Sequence, residues 1–171
     1  MGPSPSPAPI SRKPDPLPAA SGKDIVPRDA HCVFCKIIAG QIPSYKIYED
    51  EQVFAFLDIG PIVRGHALVI SKGHYPSLLE TPAPVAAAIG ARLPMLARAV
   101  QAATGTPACH VLVNNGAEAS QSVRHLHFHI LPRFANDGYK LNWDAGKIDA
   151  SNAQELVSGI ARALKELAST P

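Results

Sequence analysis

Cysteine is scarce here, with three residues in 171, and an odd number of thiols makes a poor disulfide framework. That usage fits a reducing compartment. Long apolar runs are missing as well. The longest are short and interrupted, so the sequence offers no transmembrane helix, and no apolar run of signal-peptide type follows Met1. A basic excess is also absent from most of the chain. Of 16 Lys+Arg and 14 Asp+Glu, residues 1–28 hold Arg12, Lys13, Lys23 and Arg28 against Asp15 and Asp24, which leaves the remainder with net charge zero. A neutral body lacks the basic stripe of a nucleic-acid binder, although a few backbone N–H groups can still hold a nucleotide-sized anion. Membrane and nucleic acid are therefore not expected partners. With 46% hydrophobic and 18% charged residues the chain reads as a globular protein of one domain with at most an appendage.

Proline divides the sequence. Eight of the 17 prolines fall in residues 1–28, a Ser- and Ala-rich stretch with few aromatics. Proline fixes φ and lacks the N–H donor, so neither helix nor strand is expected, and residues 1–28 read as a disordered tail ahead of a folded domain at 29–171. In that domain Phe34, Ile37 and Ile38 share a helical face, and Gly40 can end the helix. Tyr45–Glu49, Gln52–Asp58, His66–Ser71, His110–Asn114 and His125–Pro132 read as five strands, the third mostly apolar and so central. Pro84–Ala103 should be a long helix kinked or restarted at Pro94, and Ala153–Leu167 an amphipathic C-terminal helix capped by Asn152. The order of elements is α+β, with a mostly antiparallel sheet.

The pattern that carries chemistry is His125-Leu126-His127-Phe128-His129-Ile130. Period two on a strand puts three imidazoles on one face and three apolar side chains on the other. Alternate strand residues lie about 6.5–7 Å apart, so two of these histidines can share a metal ion but three span about 13 Å and cannot comfortably do so. A two-histidine metal hydrolase stays open. Covalent catalysis uses all three, because a neutral imidazole held at one nitrogen is a nucleophile at the other and its neighbours can hold an anion or move protons. The small-residue loop Asn114–Ser122 ahead of the strand supplies amides and hydroxyls suited to phosphate. Cys32 and Cys35 admit zinc, a redox pair or simple core packing. His31, His66, His74, His110 and His125 are candidates for further zinc ligands. Cys109 reads as a small core residue.

His125-x-His127-x-His129, with Cys32–Ile38, Gly40–Pro43, Phe54–Ile59, Gly65–Ile70, Lys72-x-His74, Asn114–Gly116 and Gln121–Val123, resembles the histidine-triad (HIT) family of nucleotide hydrolases and transferases over residues 32–167. It is most similar to the Hint branch of nucleoside phosphoramidases, while Leu131-Pro132-Arg133 is similar to the branch that cleaves diadenosine polyphosphates. The resemblance implies a HIT-like fold whose five-stranded sheet continues across a homodimer, a purine nucleotide substrate with an AMP moiety, and location in cytoplasm and nucleus. His127 would attack the α-phosphorus of an adenosine phosphoramidate, with His129 on the phosphate and His66 near the nucleophile. Asn114, Ser120 and Ser122 match the phosphate site, Ser122 also as proton donor to the leaving nitrogen. Phe34, Ile37, Phe56 and Ile59 match the base pocket and Asp58 the ribose acid. Family members with such cysteines often bind structural zinc, here through Cys32, Cys35, His74 and His125. Ser120 departs from the pattern, standing where many members have glycine. A nucleotide-sensing module with vestigial catalysis is the rival reading.

Overall fold

The computed structural model describes residues 27–140 and 146–169. The tail expected over residues 1–28 lies almost wholly outside the described residues. The chain forms two compact units, one through Tyr139 and one from Lys140.

The first unit is built on α1 (Val33–Ile38), β1 (Tyr45–Glu49), β2 (Val53–Leu57), β3 (Ala67–Ser71), α2 (Ala83–Thr104), β4 (Ala108–Val113) and β5 (His127–Arg133). The strands form one antiparallel sheet in the order β1-β2-β3-β5-β4. Alternation divides its side chains between two cores. Val53, Ala55, Ala67, Val69, Leu126 and Ile130 face α2, which contributes Ile89, Leu96 and Val100. Phe54, Phe56, Leu68 and Ile70 face the other way and pack with Phe34, Cys32 and Cys35 of the α1 segment. Each fully buried aliphatic side chain contributes roughly 1.5–3 kcal/mol, so β3, buried at all five positions, anchors the sheet as its central strand.

Local chemistry explains the boundaries. Gly40 takes φ +72° behind α1 and donates its N–H to the Ile37 carbonyl. Asp50 Oδ1 accepts the amides of Gln52 and Val53 at 2.8 Å, which makes the β1–β2 turn. Of the kink or restart expected at Pro94, the restart is not seen: α2 is one helix through the proline. The carbonyl four residues back belongs to exposed Gly90, so it can turn to water. By length and composition α2 could also cross a membrane, contrary to the apolar-run expectation, but its Ile89, Leu96 and Val100 sit in the core against the sheet. Cys109 is half-buried and packed against that core, as a small apolar residue should be.

The second unit is α3 (Ala150–Ser169), an amphipathic helix. Its cap is Asp149 rather than Asn152. Asp149 Oδ1 accepts the amides of Ser151 (3.0 Å) and Asn152 (3.1 Å), and a carboxylate before the first turn outcompetes an amide inside it.

Candidate active site and metal centre

The sheet register assembles the histidines. His127 pairs with Ile70 and His129 with Leu68, so both imidazoles emerge on the α1 face among Phe34, Phe56 and Leu68. His66, one residue before β3, shares the face of Leu68 and Ile70 by alternation. The rings of His127 and His129 lie 4.9 Å apart, and those of His66 and His129 5.1 Å apart. His125 differs from the sequence expectation. It precedes β5, which opens at His127, and its N–H bonds the Val123 carbonyl in a tight turn. Its ring lies against the cysteines and, like that of His127, against Phe34 (5.8 Å).

Hydrogen bonds to carbonyls, which only accept, fix two tautomers. His127 Nδ1 lies 2.6 Å from the carbonyl oxygen of His125, so Nδ1 carries the proton and Nε2 keeps its lone pair. His125 Nε2 lies 2.8 Å from the Ser71 carbonyl, so its Nδ1 is the free lone pair. His66 Nδ1 accepts the Ile62 amide at 3.3 Å, which leaves Nε2 to donate to His129 Nδ1 at 2.9 Å. Neutral His129 then carries its proton on Nε2, a buried atom with no partner among the described residues. Asp58 Oδ2 stands 3.4 Å from His66 Nδ1, placed to stabilise a protonated His66. Burial pushes His66 and His127 below the ordinary histidine value and His129 to about 4, so all three are neutral at neutral pH.

The remaining site residues divide by exposure. Phe34 is buried and meets His127 edge to face at 5.4 Å and Phe56 at 5.6 Å. Ile37 packs beside them, half-buried. Ile59, matched to the same base pocket, is 85% exposed. It follows Asp58, whose Oδ1 accepts the Gly60 amide in a turn that carries the side chain outward. Ser120 sits at φ +63°, the left-handed conformation that the family's usual glycine adopts freely. Asn114 Nδ2 reaches the Ser120 carbonyl at 3.5 Å, and Ser122 is exposed. Gln121, one of the loop's side-chain amides, ties this loop down: its Oε1 accepts the Gly116 amide and its Nε2 donates to the carbonyls of Pro76 and Val123. No residue spacing announces the bond to Pro76, 45 residues away.

Cys32, Cys35, His74 and His125 form a second cluster whose donor atoms lie within 4.8 Å of one another. His125 Nδ1 is 3.5 Å from Cys32 Sγ and 3.7 Å from Cys35 Sγ, and His74 Nδ1 is 3.5 Å from Cys35 Sγ. Zinc bonds of about 2.3 Å to sulfur and 2.0–2.1 Å to nitrogen at a tetrahedral angle separate S and N by about 3.6 Å. The four residues therefore fit a tetrahedral zinc ion. Burial pushes the Cys35 thiol up, so a thiolate there calls for a cation. Asp58, His66 and His129 also converge, but two nitrogens on one such ion would stand about 3.4 Å apart. At 2.9 Å His66 and His129 are a hydrogen-bonded pair rather than two ligands of one ion.

The HIT domain family matches residues 39–136. The chain belongs to the HIT family. It is 40% identical over 173 residues to adenylylsulfatase HINT3 of Arabidopsis thaliana, spanning 97% of this chain and 87% of that protein. It is 41% identical over 122 residues to adenosine 5'-monophosphoramidase HNT1 of Saccharomyces cerevisiae, covering 71% of this chain and 75% of that one. A HIT family protein from Bacillus anthracis superposes with TM-score 0.74 at 38% identity, over 78% of this chain and 97% of the other. A zinc-bound histidine triad family protein from Mycobacterium smegmatis superposes with TM-score 0.62 at 33% identity, over 80% and 97%. The family match opens at residue 39, after both Cys32 and Cys35, so within this HIT protein the thiol pair stands outside the segment that defines the domain.

Proposed function

We propose that this HIT protein is a nucleotide hydrolase that cleaves the P–N bond of adenosine 5'-phosphoramidates through a nucleotidyl-histidine intermediate. The hydrogen bond from His127 Nδ1 to the His125 carbonyl carries this reading, because it leaves a neutral, oriented lone pair on Nε2. That nitrogen attacks the α-phosphorus. A bond from Nε2 to phosphorus forms as the bond to the leaving amine breaks, and the amine departs with its electron pair and a proton. Water then attacks adenylyl-His127, loses a proton, and releases AMP while Nε2 regains its lone pair. Negative charge grows on the non-bridging oxygens in both steps. The Nε2–H of His129, unpartnered among the described residues, is a preorganised donor for it. His66 holds His129 from behind. Ser122 donates a proton to the leaving nitrogen, Asn114 and Ser120 complete the phosphate site, Asp58 takes the ribose, and Phe34, Ile37, Phe56 and Ile59 receive the base.

Zinc at Cys32, Cys35, His74 and His125 would be structural, since four protein ligands leave no open position for water. It would tie the α1 segment to the turn that supplies the His125 carbonyl. A homodimer joined at the free edge of β4 is proposed from the resemblance. So is a reducing location, cytoplasm and nucleus, which suits thiols that must stay reduced.

The Arabidopsis relative's name favours a second reading, in which the leaving group is an anion such as sulfate. Purified protein offered adenosine 5'-phosphoramidate, adenylyl sulfate and a diadenosine polyphosphate decides between them by AMP release. We expect the phosphoramidate to show the highest kcat/KM. No turnover of it, with turnover of either other substrate, overturns the assignment.

A further inference from the structure

We infer that Asp29 is a positioning residue of the metal centre, orienting His74 from outside the four ligands; this rests on the zinc reading above. His74 turns Nδ1 to Cys35 Sγ (3.5 Å), which leaves Nε2 as its protonated nitrogen when Nδ1 holds a metal. Asp29 Oδ2 stands 3.8 Å from that Nε2. A carboxylate behind a ligating imidazole fixes its tautomer and ring angle and makes the other nitrogen a better donor.

Three further contacts hold Asp29 in that place. Its other oxygen, Oδ1, accepts the His31 amide at 2.8 Å, which aims the carboxylate. Its own amide lies 3.5 Å from Cys35 Sγ, a donor that would share the charge of a thiolate. Its carbonyl accepts the Cys32 amide at 3.2 Å, opening the turn that leads into α1. His74 is tied to the same strand of chain from its backbone, for its amide donates to the Pro27 carbonyl at 2.8 Å. Residues 27–32 thus wrap the outside of the cluster, and Asp29 touches two of the four ligands and one ligand's amide. No sequence motif singles out Asp29, since an acid three residues before a CxxC has no metal signature of its own.

The backbone contacts survive substitution, so changing the side chain tests the carboxylate alone. Full-length protein, Asp29→Ala and Asp29→Asn are compared for zinc affinity by chelator competition and for the visible and near-ultraviolet spectrum of the cobalt(II)-loaded forms. We expect wild type to bind one ion with a tetrahedral thiolate–cobalt spectrum. Asp29→Ala should bind zinc about tenfold more weakly, the lower end of the range for such outer carboxylates because Asp29 is 42% exposed at its side chain. Asp29→Asn, which keeps an acceptor oxygen without the charge, should lie between. Wild-type binding with Asp29→Ala within twofold of it overturns the role of Asp29 and leaves the zinc site standing. Absence of metal binding by wild type overturns both.

Discussion

Replacing His127 by asparagine separates the two jobs that its ring performs. The Nδ1–H bond to the His125 carbonyl spans 2.6 Å inside a buried turn, and losing it would leave that carbonyl without its partner, at about 1–3 kcal/mol. Asparagine's Nδ2 amide sits at the same distance from the backbone as histidine Nδ1 and can keep the bond. What it lacks is Nε2. The variant also removes the ring edge that meets Phe34 at 5.4 Å, worth about 0.5–1.5 kcal/mol in an aromatic pair. His127→Asn should therefore melt close to wild type, with stability lowered by about 1 kcal/mol, whereas His127→Ala should lose about 2–4 kcal/mol by forfeiting bond and packing together. Activity should vanish in both. Loss of a covalent path worth at least about 5 kcal/mol of barrier lowers kcat by 10³- to 10⁴-fold or more. The assay is AMP release from adenosine 5'-phosphoramidate beside thermal melting of the same samples, with intact-protein mass spectrometry for a +AMP adduct. If His127→Asn retains more than a tenth of wild-type kcat, or if an adduct forms on another residue, His127 is not the nucleophile.

His129→Ala should lower kcat/KM by about 10²- to 10³-fold with little change in nucleotide binding, as expected for a charge-stabilising donor; steady-state kinetics with AMP inhibition checks the split. The folded values of His127 and His129 lie below the unfolded 6.5, reaching about 4 at His129, so the unfolded chain binds more protons between those limits. Stability should be full above pH 6.5 and decline as pH falls toward 4, and kcat/KM should lose its acid limb below 6.5; a limb centred above 6.5 in a pH–rate profile contradicts burial as the cause. Cys35→Ser should abolish zinc binding and lower the melting temperature before it lowers kcat, as metal analysis and melting of one preparation would show. Gly65→Ala should destabilise by at least about 1 kcal/mol in denaturant titration, because Gly65 has φ +85° and a Cβ there would meet Thr104 Cγ2 at 2.5 Å; its place beside His66 should carry the damage into kcat.

Period-two alternation was enough to place Leu126, Phe128 and Ile130 in the core and His127 and His129 on the opposite face, because the strand pleat is a local property. The same holds for the five strands, for the central place of apolar β3 and for the stop at Gly40. These depend on neighbours a few residues away. The unbroken run of the helix through Pro94 was not legible, because an interior proline removes a ladder bond whose loss only packing elsewhere can offset. Capping by Asp149 instead of Asn152 came down to which of two nearby polar side chains meets the first free amides. Tertiary structure alone decided the rest of the site. It opened the strand at His127, set His125 among the cysteines, and brought Ser71, 54 residues earlier, to fix the His125 tautomer. It set His66 against His129 across 63 residues and laid Asp29 behind His74. The chemistry of this protein resides in which nitrogen of each imidazole carries its proton, and that is set by carbonyls and amides that only the folded chain brings within 3 Å or so.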